Sequence, residues 1–443
     1  MLTQVESPAQ RNPSYANMVV ETASEFKVRT SIYTDPQIFH DEMRQVFDKT
    51  WVYVAHESEV ANPGDFRTAA IGTHPVIITR GEDGRIRVLL NTCRHRGNVV
   101  CRMESGNTQF FRCSYHGWIY RNDGTLATIT ETTAYPEEFR ADIGGLMEAG
   151  RVAVYRGLIF ASLSPDGESL EEHLGPAKDC VDLWADRSPG GTVRAHRPHK
   201  FLYHGNWKYQ AENGADGYHG QYVHESAFST EDYFGARPAR PNPSRAIHGN
   251  GLTKGFPRGH GFLERPGTRG ELPPDLHHAY MEGLAQRHGQ ERAERIAMVR
   301  HVLIFPNLYL MDDNIRVIQP ISVDLTAVDS HYVSLDGVPD EVNRRRLKNL
   351  QWRLGTTGFI APDDMEMFAR CQTGMQASDD GWIHLSRGMH REESRPAGER
   401  IGQPTDETPQ RAIYREWARL MGAISGQQSG VSGQHDSLSL SAS

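Results

Sequence analysis

Four residues of metal-ligand type fall in two short runs, Cys93-Arg94-His95-Arg96-Gly97 and Cys113-Ser114-Tyr115-His116-Gly117. Each run pairs a thiol with an imidazole, as C-x-H and C-x2-H, and 17 residues separate the pairs. Two such loops facing each other can close one site around metal. Tetrahedral zinc accepts two thiolates and two imidazoles, so it is one reading. Zinc fingers, however, usually draw their ligands from C-x2–4-C and H-x3–5-H pairs.

A C-x-H run reaches about 7 Å at full extension, enough for one loop to touch two metal ions. The spacing therefore favours a Rieske [2Fe–2S] cluster, with Cys93 and Cys113 on one iron and His95 and His116 on the other. Cys101, between the loops, has no partner cysteine two positions beyond Cys113, where Tyr115 stands. Cys101, Cys180 and Cys371 are expected as buried or free thiols.

A Rieske cluster only moves electrons, so a destination is needed. Glu212-Asn213-Gly214-Ala215-Asp216-Gly217-Tyr218-His219-Gly220-Gln221-Tyr222-Val223-His224 offers two histidines beside acids. Two histidines and one carboxylate with open positions hold the metal of non-haem Fe(II) oxygenases. His219 and His224 are five apart, about 140° around an ideal helix, so they converge only if the helix ends or distorts between them. Gly220 is the expected break. Asp216 lies one helical turn before His219. The alternative is a helix with scattered surface histidines. The carboxylate must come from elsewhere, and Ala361-Pro362-Asp363-Asp364-Met365-Glu366 supplies three acids at a helix start. Acids there also complement the helix dipole, so chemistry alone leaves Asp363, Asp364 and Glu366 open.

Composition is consistent with this. The chain has 443 residues, 48 basic and 56 acidic, for a net charge of −8, which argues against general nucleic-acid or anionic-membrane binding. Five cysteines are too few for a disulfide scaffold, while 21 histidines are many for the length. No apolar run is long enough to span a membrane. Met1 to Tyr15 lacks the apolar core of a signal peptide, so a cytoplasmic location is expected.

The elements that must position these residues read as follows. Asp35 caps a helix that Pro36 opens, with Phe39, Met43, Val46 and Phe47 as its apolar stripe. Short strands follow at Trp51–Val54, Pro75–Ile78 and Ile86–Leu90, the last two joined through Asp83-Gly84. Others lie near Phe110-Phe111, at Trp118–Tyr120 and between Val152 and Leu163, making 51–165 a small all-β unit. A helix is expected from Asn206 through Tyr222, then a Gly, Pro, Arg and His-rich segment over 225–297. Strands at Val302–Met311, Ile315–Val323 and Val328–Leu335 suggest an antiparallel sheet. Helices are expected at 339–356, 362–373 and 408–421. Residues 425–443 read as a disordered tail.

Over roughly residues 30–421 the chain resembles the large (alpha) subunit of a Rieske non-haem iron ring-hydroxylating oxygenase. It meets the family patterns C-x-H-x17-C-x2-H and E-N-x2-D-x-Y-H-x4-H in full. Within the family it looks most like the benzoate/toluate, anthranilate and salicylate-hydroxylase group. The likeness lies in Asn206-Trp207-Lys208, Ala211 to His219, Pro306 to Asp312 and Pro362-Asp363-Asp364. Ser386-Arg387-Gly388-Met389 and Thr405-Asp406-Glu407-Thr408 look like members acting on salicylate or aniline-type rings. Segment 225–297 departs most, and a substrate-gating lid would lie there.

The resemblance implies an α+β protein, with an all-β Rieske domain before a helix-grip-like catalytic domain whose antiparallel sheet is flanked by helices. The expected regions are an N-terminal segment and helix at 1–50 packing on the catalytic domain, the Rieske domain at 51–165, the mononuclear iron domain at 166–424 and the tail. Asp364 becomes the third iron ligand beside His219 and His224. Asp216 would bridge the two centres, between His116 of a neighbouring subunit and His219. A small (beta) subunit in an α3β3 assembly and an NADH-dependent reductase or ferredoxin are implied. Gly249–Gly255 lacks the spacing of a dinucleotide fingerprint. The expected reaction is hydroxylation of an aromatic ring bearing a small polar group, most simply cis-dihydroxylation for aromatic catabolism. The alternatives are an aromatic monooxygenase or demethylase, an aniline or chlorinated-aromatic oxygenase, a Rieske electron-transfer protein with an inactive second domain, and a zinc-stabilised binding protein. Arg258 or His260 could meet a substrate carboxylate. The apolar pocket wall is expected from the 302–323 strands and residues 350–360.

Overall fold

Asp35 caps its helix as expected: the carboxylate accepts from the Gln37 N–H at 2.7 Å, and Pro36 opens the helix Pro36–Glu42. This helix passes into a π turn, Met43–Phe47, and Phe39, Met43, Val46 and Phe47 are all buried. The structure, a computed structural model, describes residues 15–233, 251–265, 272–377 and 381–427. Ahead of the helix, Val19–Glu21 and Phe26–Arg29 form a hairpin, and Trp382–His384 adds a third strand from the far end of the chain. Arg415 pairs with Glu21 at 2.6 Å, and the rings of Tyr15 and Trp417 meet edge to face at 6.0 Å.

Three antiparallel sheets follow. Val52–His56, Leu158–Ser162 and Arg151–Tyr155 make one. Ile86–Leu90, His74–Arg80, Asp65–Ile71 and Ser105–Asn107 make the second, and Leu126–Thr128, Ile119–Arg121 and Phe110–Arg112 the third. The region is not purely β, since Glu137–Asp142 is a short helix. Phe66, Ile77, Leu89, Phe111, Trp118, Tyr120 and Leu146 close a core around Cys93 and Cys113. Packing runs on through residue 165: Trp51, Tyr53, Leu158 and Phe160 share a core with Trp184, Ile304 and Leu310. Asn307 stitches this contact, accepting from the Tyr53 N–H at 3.0 Å and donating to its carbonyl at 2.9 Å.

The second half is built on a nine-stranded antiparallel sheet flanked by helices, as the resemblance implied. Its order is Val193–Tyr203, Leu325–Leu335, Asn314–Ser322, Leu308–Leu310, Val299–Ile304, Gly261–Arg265, Leu252–Gly255, Arg400–Gly402 and Glu393–Ser394. The expected strand Val302–Met311 is therefore two strands, because the chain turns at Phe305–Asn307 and pairs with itself. The two faces bury different cores. Ile315, Leu308 and Leu310 pack with Trp184 on one, and Ile318, Tyr309, Leu303 and Val328 pack with Trp207 and Trp417 on the other. Helices Asp340–Leu354 and Ala361–Met375 match expectation, and the last helix, Thr408–Gln427, extends beyond it. Segment 225–297 holds helices Glu225–Tyr233, Pro274–His288 and Gln290–Ala297 and one hairpin. Its residues 234–250 and 266–271, with part of the expected lid, lie outside the described residues, as do 1–14 and 428–443. No described helix is long and apolar enough to cross a membrane.

Candidate active site

The helix expected over 206–222 breaks earlier than Gly220. Asn206 caps it, accepting from the Lys208 N–H at 3.1 Å, and it ends at Asn213. A Cβ on Gly214 would fall 2.3 Å from the Tyr309 ring, and one on Gly217 would fall 1.9 Å from the Pro404 carbonyl oxygen. Those two close approaches require glycine; Gly220 instead opens a single turn, Gly220–Val223, where a Cβ would meet only the His224 ring, in ordinary contact at 3.8 Å. His219 precedes that turn and His224 follows it, which is how residues five apart converge.

Three ligand atoms meet there. Asp364 Oδ1 lies 3.5 Å from His219 Nε2 and 3.3 Å from His224 Nε2. Two ligands bound at about 2.1 Å to one ion are themselves about 3.0–3.4 Å apart, so these separations fit a single metal ion. Among the described residues only His219, His224 and Asp364 bring three such atoms within 4.8 Å of one another. His224 and Asp364 are buried, while His219 keeps part of its surface exposed. Asn213 Nδ2 stands 3.2 Å from both His219 Nε2 and Asp364 Oδ1. Of the other two acids, Asp363 Oδ2 lies 3.5 Å from His224 Nδ1, behind the ring, and Glu366 is exposed and paired with Arg370.

Asp216 sits beside His219 through a turn rather than a helix. Its Oδ1 accepts from the N–H groups of Tyr218 at 2.5 Å and His219 at 3.2 Å, and Oδ2 lies 3.4 Å from His219 Nδ1. Burial pushes this carboxyl up, but the His219 contact and the two N–H donors outweigh it and hold its pKa below the ordinary value. Behind the helix, Glu42 accepts from Trp207 Nε1 (2.9 Å), Lys208 Nζ (2.6 Å) and Trp417 Nε1 (2.7 Å). Glu212 accepts from Tyr33 and Tyr414, at 2.6 and 2.5 Å. Burial pushes the Glu212 carboxyl up to about 7, against the hydrogen bonds from those tyrosines and the charge of Lys208.

The second site lies at two facing loop tips. Gly97 and Gly117, with φ of +69° and +74°, let the Cys93 and Cys113 carbonyls accept from their N–H groups at 2.9 and 3.0 Å. Both cysteines are buried; His95 and His116 are half-buried, with Nδ1 atoms 3.1 Å apart. The imidazole pair thus has the spacing of two ligands on one ion, yet no three of the four ligand atoms converge on a point. That suits a two-ion cluster better than a single zinc. The Tyr120 hydroxyl sits 3.2 Å from Cys93 Sγ and accepts from the Arg94 N–H at 3.0 Å. Burial raises the Cys113 thiol, but the N–H groups of Tyr115 and His116 and the Asn98 amide outweigh it, favouring the thiolate that metal requires. Cys101, Cys180 and Cys371 are free, the first two buried and Cys371 exposed.

Residues 50–143 match the Rieske [2Fe-2S] domain and residues 190–423 the ring hydroxylating alpha subunit catalytic domain. The chain is 38% identical over 379 residues to the 2-halobenzoate 1,2-dioxygenase large subunit of Burkholderia cepacia, covering 82% of this chain and 80% of that one. It belongs to the ring-hydroxylating dioxygenase alpha subunits. As an alpha subunit it is an oxidoreductase with a Rieske cluster domain and a catalytic domain of the kind that binds mononuclear iron. The toluate 1,2-dioxygenase alpha subunit of Pseudomonas putida is 34% identical, with 82% of both chains covered. A naphthalene 1,2-dioxygenase variant bound to phenanthrene matches in structure with a TM-score of 0.82 and 26% identity, over 94% of this chain and 98% of that one.

Arg258 and His260, read as solvated residues or as candidates to meet a substrate carboxylate, are instead engaged within the protein. Arg258 is paired with Glu168 at 2.6 Å, and His260 is fully buried, hydrogen-bonded to His173 and Phe305. Within the ranges expected for a pocket wall, Leu350, Leu354 and Ile360 pack with Met311, and with Tyr332 beyond those ranges, as a core cluster. Sequence reading missed Glu42 and Tyr414. Glu42 carried a signal, as a charged residue three places after Phe39 and four before Val46 in an apolar stripe.

Proposed function

We propose that this chain is the terminal oxygenase subunit of a dioxygenase acting on a benzoate-like aromatic acid. The convergence of His219, His224 and Asp364 on one point carries the reading. These three residues would hold the catalytic iron, whose open positions supply dioxygen chemistry beside the ring. Cys93 and Cys113 would hold one iron of the Rieske cluster, and His95 and His116 the other. Asp363 places a negative charge 3.5 Å behind the His224 ring, and Asn213 donates to Asp364 Oδ1 at 3.2 Å.

Electron delivery is proposed to run through Asp216, between His116 of a neighbouring copy and His219. In support, neither His95 nor His116 has a hydrogen bond or ring contact with residues 206–224 of its own chain among the described residues. Both ends are also open: Tyr115 is 59% exposed beside the cluster, and Tyr218 and Tyr222 are 37% and 62% exposed beside Asp216. The proposed partners are a small beta subunit in an α3β3 assembly and an NADH-dependent reductase or ferredoxin, in the cytoplasm. We test this by feeding benzoate, anthranilate, 2-chlorobenzoate and salicylate to cells expressing the assembled system under heavy-isotope dioxygen. Two heavy atoms in one product are expected. A single heavy atom would instead mean a monooxygenase, and none from any substrate would sink the reading.

A further inference from the structure

Arg316 occupies the strand Asn314–Ser322, with Tyr309 and Ser330 opposite it on the neighbouring strands. Cross-strand partners share a face, so Arg316 points to the side that carries Tyr309 and Ile318. On that side the Tyr309 hydroxyl donates to the Ala211 carbonyl at 2.7 Å, and its ring lies against Gly214. Arg316 therefore sits between the sheet and the helix that leads into His219. Asp364 is the leading charge acting on it.

Its guanidinium has no visible reason to be there. Arg316 is 2% exposed, and neither Nε nor Nη2 has a hydrogen-bond partner among the described residues. Arg300 and Arg411 are as deeply buried, but each is paired, with Glu264 at 2.7 Å and Glu392 at 3.0 Å. Arginine cannot shed its proton to escape burial, so an unpaired one calls for an anion. Asp313, with a buried unmatched Oδ1, adds a smaller negative charge, and Gln210 Nε2 is a buried unmatched donor on the helix Trp207–Asn213 packed against this strand. A metal ion held by Asp364 would draw that carboxylate's charge away and leave Arg316 needing its own counter-ion still more.

We infer that Arg316 binds the carboxylate of an aromatic acid substrate, fixing the ring beside the His219–His224–Asp364 centre. The fork of the guanidinium matches a carboxylate with two parallel hydrogen bonds. The inference rests on the oxygenase reading for the location of the ring, and it names the substrate class from this chain's own residue.

The test is calorimetric binding of benzoate and of uncharged benzamide to the assembled oxygenase, wild type, Arg316→Gln and Arg316→Lys. Iron content and the visible cluster spectrum report the integrity of each variant. The wild type is expected to bind benzoate at least about 30-fold more tightly than benzamide. Arg316→Gln should lose about that factor for benzoate and leave benzamide within about threefold, with Arg316→Lys recovering part. Equal wild-type affinity for the two compounds overturns the inference without needing any variant to fold. So does undiminished benzoate binding by Arg316→Gln, which would leave water as the occupant. Heavy oxygen incorporated only into neutral arenes would overturn the carboxylate assignment and the aromatic-acid substrate with it, while oxygenation at the His219–His224–Asp364 centre stands. Arg316-dependent benzoate binding without oxygenation of any substrate would uphold this inference and sink that reading.

Discussion

Asp363 Oδ2 lies 3.5 Å from His224 Nδ1, on the opposite edge of the ring from Asp364. The two adjacent acids thus face opposite nitrogens of one imidazole, and we propose Asp364 as the iron ligand and Asp363 as the charge behind the ring. Carboxylates in the second position typically change metal affinity by about 10–100-fold. Asp364→Ala is therefore expected to leave the mononuclear site empty at any iron concentration. Asp363→Ala should weaken iron binding by that factor and refill at higher iron. Iron titration of the two variants separates them, and the reverse pattern would exchange their roles.

Asp216→Ala should keep both metal complements, since Asp216 is no ligand in this geometry, yet stop turnover. The readout is single-turnover oxidation of a prereduced cluster with substrate and dioxygen present. Wild-type rates in the variant would remove Asp216 from the electron path.

The Tyr120 hydroxyl lies 3.2 Å from the sulfur of Cys93, where it would donate to a metal-bound thiolate, and hydrogen bonds to cluster sulfurs help set the potential. Tyr120→Phe should leave the cluster spectrum in place and lower its midpoint potential, because the oxidised form loses less than the electron-rich reduced form. Cys93→Ser should abolish the cluster and its colour. A Tyr120→Phe potential equal to that of the wild type would show that the hydroxyl does not act on the cluster.

Glu212 gives a pH prediction. Its carboxyl ionises near 7 when folded, against an ordinary value of 4.5. Between those values the folded chain holds the extra proton, so stability from this group is complete below about 4.5 and lost as the pH rises to about 7. Glu212→Gln, which cannot titrate, should flatten the melting temperature across that window and gain on the wild type above pH 7. Parallel melting curves from pH 5 to 8 would show that Glu212 does not govern the slope.

The candidate ligand residues were legible because metal sites often draw side chains that lie close together along the chain. The two C-x-H-type runs and the His219–His224 pair are local patterns, and each needs only its own loop. The break in the 206–222 helix was misplaced because the close neighbours that reserve Gly214 and Gly217 for glycine, Tyr309 and Pro404, are remote and not visible from the local sequence. Arg316 was missed for a related reason. An arginine alternating with Ile315 and Val317 reads as the wet side of a strand, and only the helix laid over that face makes it dry. Asp363, Asp364 and Glu366 could not be ranked by type, since all three suit a helix start; their spatial neighbours distinguish them.

The third strand beside Phe26–Arg29 comes from Trp382–His384, and the helix that closes over residues 15–42 is the last in the chain. During synthesis the N-terminal hairpin must therefore wait for about 350 further residues, roughly half a minute at ~10 residues per second. The core around Cys93 and Cys113 draws only on residues up to 146 and is free of that delay. The iron–sulfur loops can close on the ribosome, whereas the Asp364 centre is a product of the finished polypeptide. Truncation near the C-terminus should then yield coloured protein that cannot oxygenate.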